Sequence, residues 1–276
     1  MASSEKVIIT GASGFIGARI SDYLEDMGFD VTRISRRPGP GIHAVEDYRD
    51  TPAGKYLIHL AESPVISEVN EKDPHDKGEM LLDDLAGRFE KLIYASSAAV
   101  YGNTNPHPNK VDDPVDPSDA YTRQKISNEK TAMMHGGIVL RLSNIFGPGM
   151  SETTVFSDIM KQIDSTGPLL LRDLSPVRDF LSIYELSGLF ARLLDEFRSC
   201  ICNVGSGSGI SIGDLARLIL DTCGQEGRSV EATNASSNRS CNTLDISETY
   251  NLFRWKPSLP LEEQVRQFIH SEAIIR

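Results

Sequence analysis

The stretch that decides the fold is TGASGFIG, residues 10–17, which directly continues the apolar run KVIIT. It places Gly11, Gly14 and Gly17 between a strand-like run and a helix-like segment. Glycine has no Cβ, so the chain can turn sharply at these positions and bring its backbone N–H groups close to an anion. The N-terminus of the following helix adds partial positive charge. The stretch therefore predicts a strand–turn–helix unit that binds the pyrophosphate of a dinucleotide.

Short apolar runs alternate with helix-like segments over most of the chain. The runs are KVIIT, DVTRIS, YLIHLA, KLIYASS, GIVLRLS and CICNVG, and this alternation is typical of βαβ units around a parallel sheet. After about Phe146 the alternation is less regular. We therefore predict an α/β fold with a Rossmann-type, doubly wound parallel sheet in residues 1–147 and 177–204. A smaller substrate-binding lobe, residues 148–176 and 205–276, is expected at the carboxyl ends of the strands.

Charge and hydropathy argue against several classes of partner. The chain has 276 residues and a formal net charge of −11, which works against binding to a nucleic-acid backbone, because such binding depends on clustered Lys and Arg. No apolar run is long enough to span a bilayer, and the N-terminal sequence lacks the pattern of a secretory signal. We expect a cytoplasmic protein with no membrane or nucleic-acid partner.

The four cysteines, Cys200, Cys202, Cys223 and Cys241, follow no spacing typical of a metal site. Cys200 and Cys202 fall in a strand-like run, where alternate side chains face opposite ways, and we take this to argue against a shared metal ion. We expect buried free thiols and no metal.

The second strand indicates which dinucleotide is bound. Sites for NAD usually carry an acidic residue about twenty residues after the glycines, whereas NADP sites carry small residues and cations that hold the 2′-phosphate. In VTRISRRPGP, residues 31–40, this position is occupied by Ser35, Arg36 and Arg37, with Arg33 on the same strand. The sequence therefore predicts NADP(H), with NAD(H) as the alternative.

A serine, a tyrosine and a lysine form the candidate catalytic set. Ser97 follows the run KLIYAS, and Tyr121 and Lys125 are spaced one helical turn apart, so they share a helix face. A nearby ammonium and a positively charged nicotinamide favour the ionised form of a phenol. Tyr121 is therefore a candidate acid–base group, and Ser97 a hydrogen-bond partner for the same substrate oxygen.

Motifs in a fixed order carry a family resemblance. They are TGASGFIG, HLAES, SSAAVYG, AYTRQK, LRLSNIFGPG, RDFLSIYEL, NVGSGSGISI and RWKPSLPLEE. This series resembles the extended short-chain dehydrogenases/reductases that act as nucleotide-sugar epimerases, dehydratases and 4-ketoreductases. The resemblance implies hydride transfer between the nicotinamide and a sugar carbon. It assigns Tyr121 as the acid–base group, Lys125 to the nicotinamide ribose and Ser97 to the substrate oxygen.

The resemblance implies further binding residues. Asn144 matches a position that contacts the sugar or diphosphate, and Arg178 one that binds the diphosphate; the structural alternatives are a strand-end cap and an ion pair with Asp179. Downstream of the arginines, Asp47 and Tyr48 are expected to flank the adenine. The remaining expected cofactor contacts lie in TGASGFIG and HLAES: Gly11, Ser13, Gly14, Phe15, Ile16, Gly17, Leu60 and Ala61.

Residues that the family has and this chain lacks narrow the choice of reaction. The family's 4,6-dehydratases carry an Asp-Glu pair where this chain has Ala98 and Ala99, and its 3,5-epimerising reductases carry a Cys at the position of Ala98. An NADPH-dependent reduction of a nucleotide-linked 4-keto-6-deoxy sugar and an NAD-dependent 4-epimerisation remain, and the arginine pair favours the reduction. A third alternative is a sensor or scaffold that binds NADP without turnover, although such relatives typically lack the tyrosine or the lysine.

The chain departs from the family at two positions, and the resemblance also implies an oligomeric state. Glu62 replaces a small residue near the cofactor, where a carboxylate is unfavourable unless it points away or binds a hydroxyl. The family's helix asparagine has no obvious counterpart, and Asn70 is the nearest candidate. By resemblance we expect a homodimer that pairs the two helices flanking one side of the sheet.

Overall fold

The computed structural model describes residues 5–62, 75–234 and 240–275, with only the backbone described for residues 75–80 and 272–275. Asn70 lies outside these residues. The described strands are β1 (Val7–Thr10), β2 (Val31–Ser35), β3 (Ile42–Ala44), β4 (Tyr56–His59), β5 (Lys91–Ser97), β6 (Ile138–Leu142), β7 (Asn144–Phe146), β8 (Leu169–Leu171), β9 (Val177–Ser182), β10 (Cys200–Val204), β11 (Gly209–Ser211), β12 (Val230–Ala232) and β13 (Cys241–Asn242).

The described helices surround these strands. They are α1 (Phe15–Asp26), α2 (His75–Ala86), α3 (Ala120–Met134), α4 (Val155–Met160), α5 (Ile183–Asp195), α6 (Ile212–Thr222), α7 (Ser247–Phe253) and α8 (Leu261–Ile275), with short 3₁₀ turns at Tyr48–Asp50 and Ala98–Tyr101. In this described part of the chain, no helix is both long enough and apolar enough to cross a membrane.

The main sheet has seven parallel strands in the order β3-β2-β1-β4-β5-β6-β10. The chain moves outward from β1 in one direction to β3 and then, from β4, in the other. A crevice forms at the carboxyl ends of the strands where this order reverses, between β1 and β4, and open α/β sheets bind ligands there. The predicted Rossmann-type fold is confirmed.

Both faces of the central strands of the main sheet are buried, which explains why β1, β4 and β6 are largely apolar runs. Ile9 points into a core shared with α1 and α5, which includes Leu24 and Phe190. The next residue along the strand, Ile8, points into the opposite core, which includes Leu82 of α2 and Tyr94 of β5. Successive strand residues thus pack into the cores on opposite faces of the sheet.

A smaller lobe follows β6 and has a core of its own. Strands β7, β9, β11 and β13 form a second sheet, and β8 pairs with β12. Phe146 stacks on Phe156 with ring centroids 4.5 Å apart, and Phe268 meets both rings edge-on. Within residues 177–204, β9 belongs to this small sheet, whereas β10 joins the main sheet. The predicted division into two lobes remains a prediction.

Cys200 and Cys202 lie on the same face of β10, with their sulfur atoms 3.4 Å apart. Residues two apart on a strand share a face, so the sequence argument that separated these two side chains was wrong. Both thiols are free.

A buried ion pair joins α3 to the main sheet. The Arg141 guanidinium on β6 donates to both carboxylate oxygens of Glu129 on α3, at 2.7–3.2 Å, and both side chains are at most 6 % exposed. Ser96 on β5 donates to Glu129 at 2.5 Å, and Arg141 also donates to the Tyr101 hydroxyl at 2.7 Å. Every charge in this network has a partner, so it fixes the helix that carries Tyr121.

Replacing Arg141 by methionine should destabilise the protein strongly. The substitution leaves the Glu129 carboxylate buried without its cation, and breaking one side of a buried pair costs about 3–5 kcal/mol. Urea unfolding measures this loss. The matched control is Arg217→Met, which breaks the exposed Arg217–Asp214 pair on α6 and should cost less than about 1 kcal/mol. Equal losses in the two variants would contradict the role given to the buried pair.

Candidate active site and cofactor site

A cavity of about 550 Å³ lies at the carboxyl ends of β1, β4, β5 and β6 and extends toward the small lobe. Eleven of the predicted site residues line it: Gly11, Gly14, Phe15, Ile16, Gly17, Leu60, Ser97, Tyr121, Lys125, Asn144 and Arg178. Other predicted residues are not among the lining residues: Ser13, Arg36, Arg37, Asp47, Tyr48 and Ala61. The structure thus brings the candidate catalytic set and the glycine turn into one cavity.

The glycine turn fits a pyrophosphate. Gly11 has φ +74°, and a Cβ at this residue would lie 2.6 Å from the carbonyl oxygen of Leu60. A Cβ on Gly17 would lie 2.3 Å from the carbonyl oxygen of Gly11. Helix α1 begins after Gly14, and no side chain caps its first N–H groups. The backbone N–H groups at the N-terminus of α1 therefore face the cavity across glycines that have no side chain, which suits a phosphate.

The arginine pair lies at the end of β2. The Ser35 hydroxyl hydrogen-bonds that of Ser13 at 2.6 Å and accepts from the backbone N–H of Arg37 at 3.0 Å. Arg36 lies over the Tyr48 ring, 5.5 Å from its centroid. Both arginines are exposed, and within the described residues neither forms an ion pair with a carboxylate. Their guanidinium groups are therefore available to an anion.

Arg33 does not share this role. Its guanidinium donates to Asp22 at 2.7 Å and to Glu25 at 2.6 Å, both on α1. The hydrogen bonds that Arg33 donates to Glu25 are the main cause that raises the pKa of Arg33. Its charge is balanced on the helix surface, so Arg33 does not add to the predicted phosphate site.

Asp47 and Tyr48 have structural contacts of their own. The Asp47 carboxylate accepts from the backbone N–H of Arg49 at 2.8 Å and pairs with the Arg49 side chain at 3.1 Å, which caps the 3₁₀ turn. Tyr48 is buried and meets the His59 ring edge-on. Their contact with an adenine remains a prediction.

The candidate catalytic side chains come from two elements. Ser97 is the last residue of β5, and its hydroxyl accepts from the backbone N–H of Ala99 at 3.2 Å. Helix α3 begins at Ala120, capped by Asp119, and presents both Tyr121 and Lys125 to the cavity. The Lys125 ammonium lies 5.8 Å from the Tyr121 ring centroid. The helical spacing of the two residues therefore produces the expected pairing of a phenol with an ammonium.

Glu62 neither points away nor lies free in the cavity. Its carboxylate accepts from the Lys125 ammonium at 2.5 Å, from the Asn128 side-chain amide at 2.6 Å and from the Tyr94 hydroxyl at 2.9 Å. Burial by itself would raise the pKa of Glu62, but the charge of Lys125 and these hydrogen bonds outweigh it and hold that pKa below its usual range. The sequence prediction allowed for a carboxylate that points away or binds a hydroxyl; Glu62 does bind the Tyr94 hydroxyl, and the structure adds an internal cation that the sequence analysis did not foresee.

Asn144 makes a contact of the kind expected of a strand-end cap, whereas Arg178 does not form the ion pair that was its structural alternative. The Asn144 side-chain amide donates to the backbone oxygen of Asp179 at 2.9 Å, which ties β7 to β9. Arg178 donates to the backbone oxygen of Val177 and to the backbone and hydroxyl oxygens of Ser240. It does not pair with the Asp179 carboxylate, which accepts instead from residues 206 and 207. The ion pair that was the structural alternative for Arg178 therefore does not form, and Arg178 lines the cavity with its charge not balanced by that acid.

Two cavity residues were missed by the sequence analysis. The Ser143 hydroxyl and the Asn242 side-chain oxygen are buried, line the cavity and have no hydrogen-bond partner among the described residues. The Asn242 amide nitrogen donates to the backbone oxygens of Ala98 and Gly102, which fixes its orientation. Ser143 directly follows β6 at the carboxyl end of the main sheet, a position that could have been found from the sequence, whereas Asn242 reaches the cavity only through packing of the small lobe.

The substitution Asp179→Asn should remove a pH-dependent contribution to the free energy of unfolding. Burial raises the pKa of Asp179 to about 6, although hydrogen bonds from Ser206 and Gly207 oppose this. Between about pH 4 and pH 6 the unfolded chain releases this proton while the folded protein keeps it, so the folded state loses stability as the pH rises, and the loss levels off above pH 6.

The measurement is the free energy of urea unfolding at several pH values. Relative to Asp179→Asn, the wild type should lose up to about 3 kcal/mol between pH 4 and pH 6. Asp26→Asn, which removes an exposed carboxylate from α1, controls for the change in net charge. A difference between wild type and Asp179→Asn that is flat over this range, or that grows with pH, would contradict the assignment.

Two proteins resemble this chain over nearly its whole length. UDP-glucuronate 4-epimerase from Thermodesulfobacterium geofontis is 23% identical over 309 residues, which cover 95% of this chain and 94% of that protein. The dTDP-6-deoxy-L-talose 4-dehydrogenase (NAD(P)(+)) from Kitasatospora kifunensis is 22% identical over 298 residues, covering 95% and 94%.

The fold is also that of a solved structure, MoeE5 in complex with UDP-glucose and NAD. The TM-score is 0.84 at 19% identity, and the alignment covers 98% of this chain and 100% of that one. The model of the NAD dependent epimerase/dehydratase family matches residues 7–205. These findings confirm the resemblance inferred from the motifs and identify an NAD(P)-dependent enzyme of the nucleotide-sugar type. Because the family match spans well over half of the chain, the protein belongs to the NAD-dependent epimerase/dehydratase family of extended short-chain dehydrogenases/reductases.

Proposed function

We propose that the protein uses NADPH to reduce the C4 ketone of a nucleotide-linked 4-keto-6-deoxy sugar. The observation that carries the choice of cofactor is the arginine pair Arg36 and Arg37, which stands where an NAD site has its acid and has no carboxylate partner among the described residues. A guanidinium group donates to phosphate oxygens in a planar fork, which suits a 2′-phosphate.

When bound, NADPH supplies a hydride to the ketone carbon and is oxidised to NADP⁺. The Tyr121 hydroxyl donates its proton to the ketone oxygen, so the carbonyl becomes an alcohol and one proton is taken up from solvent as the phenol is restored. The Ser97 hydroxyl hydrogen-bonds the same oxygen and orients it. Lys125 stands one helical turn from Tyr121 and would hold the nicotinamide ribose of the bound cofactor.

The substrate end of the cavity supports a nucleotide sugar. Arg178 supplies a cation for the diphosphate, and Asn144 lies beside it at the start of β7. The unpartnered oxygens of Ser143 and Asn242 are available to sugar hydroxyl groups. Ala98 and Ala99 follow Ser97 in the 3₁₀ turn and carry no acid–base group, which argues against dehydration. The homodimer and the cytoplasmic location expected from the sequence remain predictions.

A 4-epimerase that retains NAD is the second candidate. The similarity to UDP-glucuronate 4-epimerase and the NAD in the MoeE5 structure favour it. The two reactions share Tyr121, Lys125 and Ser97, so the catalytic set does not separate them. The reductase must exchange NADP⁺ for NADPH after each turnover, whereas the epimerase keeps its NAD bound. The preference for NADPH or NAD therefore distinguishes the two reactions.

Cofactor preference is tested with Arg36→Ala and Arg37→Ala. One or both substitutions should weaken NADPH binding by more than about tenfold, roughly 1.4 kcal/mol, and leave NADH binding almost unchanged, as measured by fluorescence titration. Arg33→Ala is the matched control, because that arginine on the same strand is already paired with Asp22 and Glu25. Equal binding of NADPH and NADH, or NAD that stays bound through purification, would favour the epimerase.

Catalysis is tested with Tyr121→Phe. In assays of NADPH oxidation with dTDP- and GDP-linked 4-keto-6-deoxy sugars, the variant should turn over about 10²–10⁴-fold more slowly because it lacks the proton donor. Its NADPH dissociation constant should stay within about threefold of the wild type, since only one hydroxyl is removed. A wild type that binds NADPH but shows no turnover with these sugars would point to the sensor or scaffold alternative.

A further inference from the structure

The cavity contains a buried pair of opposite charges. Glu62 follows β4 and Lys125 lies on α3, and their charged atoms are 2.5 Å apart. The two side chains are only 12% and 9% exposed, and both residues line the cavity together with Tyr121. At this separation and with so little water to screen them, the two charges attract each other strongly.

Neutral groups hold the pair in place. The Tyr94 hydroxyl and the Asn128 amide donate to Glu62, and the backbone oxygen of Ala95 accepts from Lys125 at 2.9 Å. Burial, with the charge of Glu62, keeps Tyr94 protonated by raising its pKa, and burial lowers the pKa of His59 to about 4. Both groups are therefore uncharged at neutral pH.

Lys125 has no other partner of opposite charge in the described part of the chain. Glu129, four residues along α3, is taken by Arg141. Burial by itself would lower the pKa of Lys125, but the negative charge of Glu62 outweighs it and raises that pKa. The pair is therefore ionised and has a net charge of zero, whereas either residue alone would leave a full charge in the cavity.

We propose that Glu62 is a positioning residue that fixes the Lys125 ammonium and cancels its charge, so that the cavity does not disfavour the oxidised, positively charged nicotinamide relative to the reduced one. This inference rests on the proposed function only in that the cavity binds a nicotinamide cofactor. Two of the three ammonium donors of Lys125 are used by Glu62 and Ala95, which leaves the third for a ribose hydroxyl.

The physical reason is the charge difference between the two cofactor forms. NADP⁺ carries one more positive charge than NADPH, on the nicotinamide ring. An uncompensated ammonium in a water-poor cavity would repel that ring, whereas the neutral Glu62–Lys125 pair does not. In a reductase the oxidised form is the one that accumulates as the ketone is reduced, so Glu62 makes this step more favourable on the protein.

The test is the ratio of the dissociation constants of NADP⁺ and NADPH in four proteins. Glu62→Gln should raise this ratio by about tenfold, because it leaves Lys125 unbalanced. Lys125→Met should lower it by a similar factor, because it leaves Glu62 unbalanced. The double variant carries neither charge, and its ratio should return to within about threefold of the wild type. Binding is followed by calorimetry, without substrate.

The opposite shifts of the ratio expected for the two single variants distinguish a charge effect from structural damage. Damage to the cavity would weaken both cofactor forms together and leave the ratio unchanged. Glu263→Gln, which removes the same charge from an exposed pair on α8, should leave the ratio at its wild-type value. If Glu62→Gln fails to fold, Lys125→Met and the double variant still give the comparison, since removing both charges leaves no buried ion.

The outcomes also separate this inference from the proposed function. The ratio is measured with NAD⁺ and NADH as well, because that pair has the same difference in ring charge. A protein that prefers NAD or turns over no 4-keto sugar would overturn the proposed reduction and still report on Glu62. A ratio unchanged in Glu62→Gln, or shifted in the same direction by both single variants, would overturn the role of Glu62. No binding of any of the four nucleotides would overturn both.

Discussion

The close approach of two backbone segments is the constraint on which the rest of the structure depends. The turn after β1 passes so near the end of β4 that a Cβ on Gly11 would lie 2.6 Å from the Leu60 carbonyl oxygen. Gly17 is confined in the same way by the carbonyl oxygen of Gly11. These contacts place the N-terminus of α1 at the point where the strand order reverses. The crevice at that point has backbone donors on one side and the ends of β4, β5 and β6 on the other.

Helix α3 presents Tyr121 to this crevice, and the charged residues of the helix pair with residues from other elements. Lys125 and Glu129 are four residues apart and stand on one helix face, where such residues often pair with each other. Here each has a partner from elsewhere in the fold: Glu62 after β4 for the lysine, and Arg141 on β6 for the glutamate. The two pairs fix the helix against three strands, and each leaves no net charge in the interior. The orientation of Tyr121 depends on this arrangement.

The small lobe completes the cavity with polar groups rather than with charge alone. Arg178 is fixed by oxygens of residues 177 and 240, and Asn144 by the backbone of β9. Ser143 and Asn242 add oxygens that no described residue satisfies. Buried polar atoms without partners are uncommon in folded proteins, and their position in a cavity beside a cationic group supports the proposal that a nucleotide sugar binds there.

The sequence by itself determined the fold class, the glycine turn, the pairing of Tyr121 with Lys125 and the unusual residues at the end of β2, because each depends on local spacing along one strand or one helix. It placed Cys200 and Cys202 on opposite faces, which the structure contradicts, it left the protein contacts of Arg33 and Arg178 open, and it identified Glu62 only as an anomaly. Only the tertiary structure decided which charge meets which, since Glu62 and Lys125 are 63 residues apart and local periodicity carries no information about such contacts. The same holds for Asn242, which reaches the cavity from the other lobe. Long-range packing sets the electrostatics of the site, and local pattern sets the scaffold that supports it.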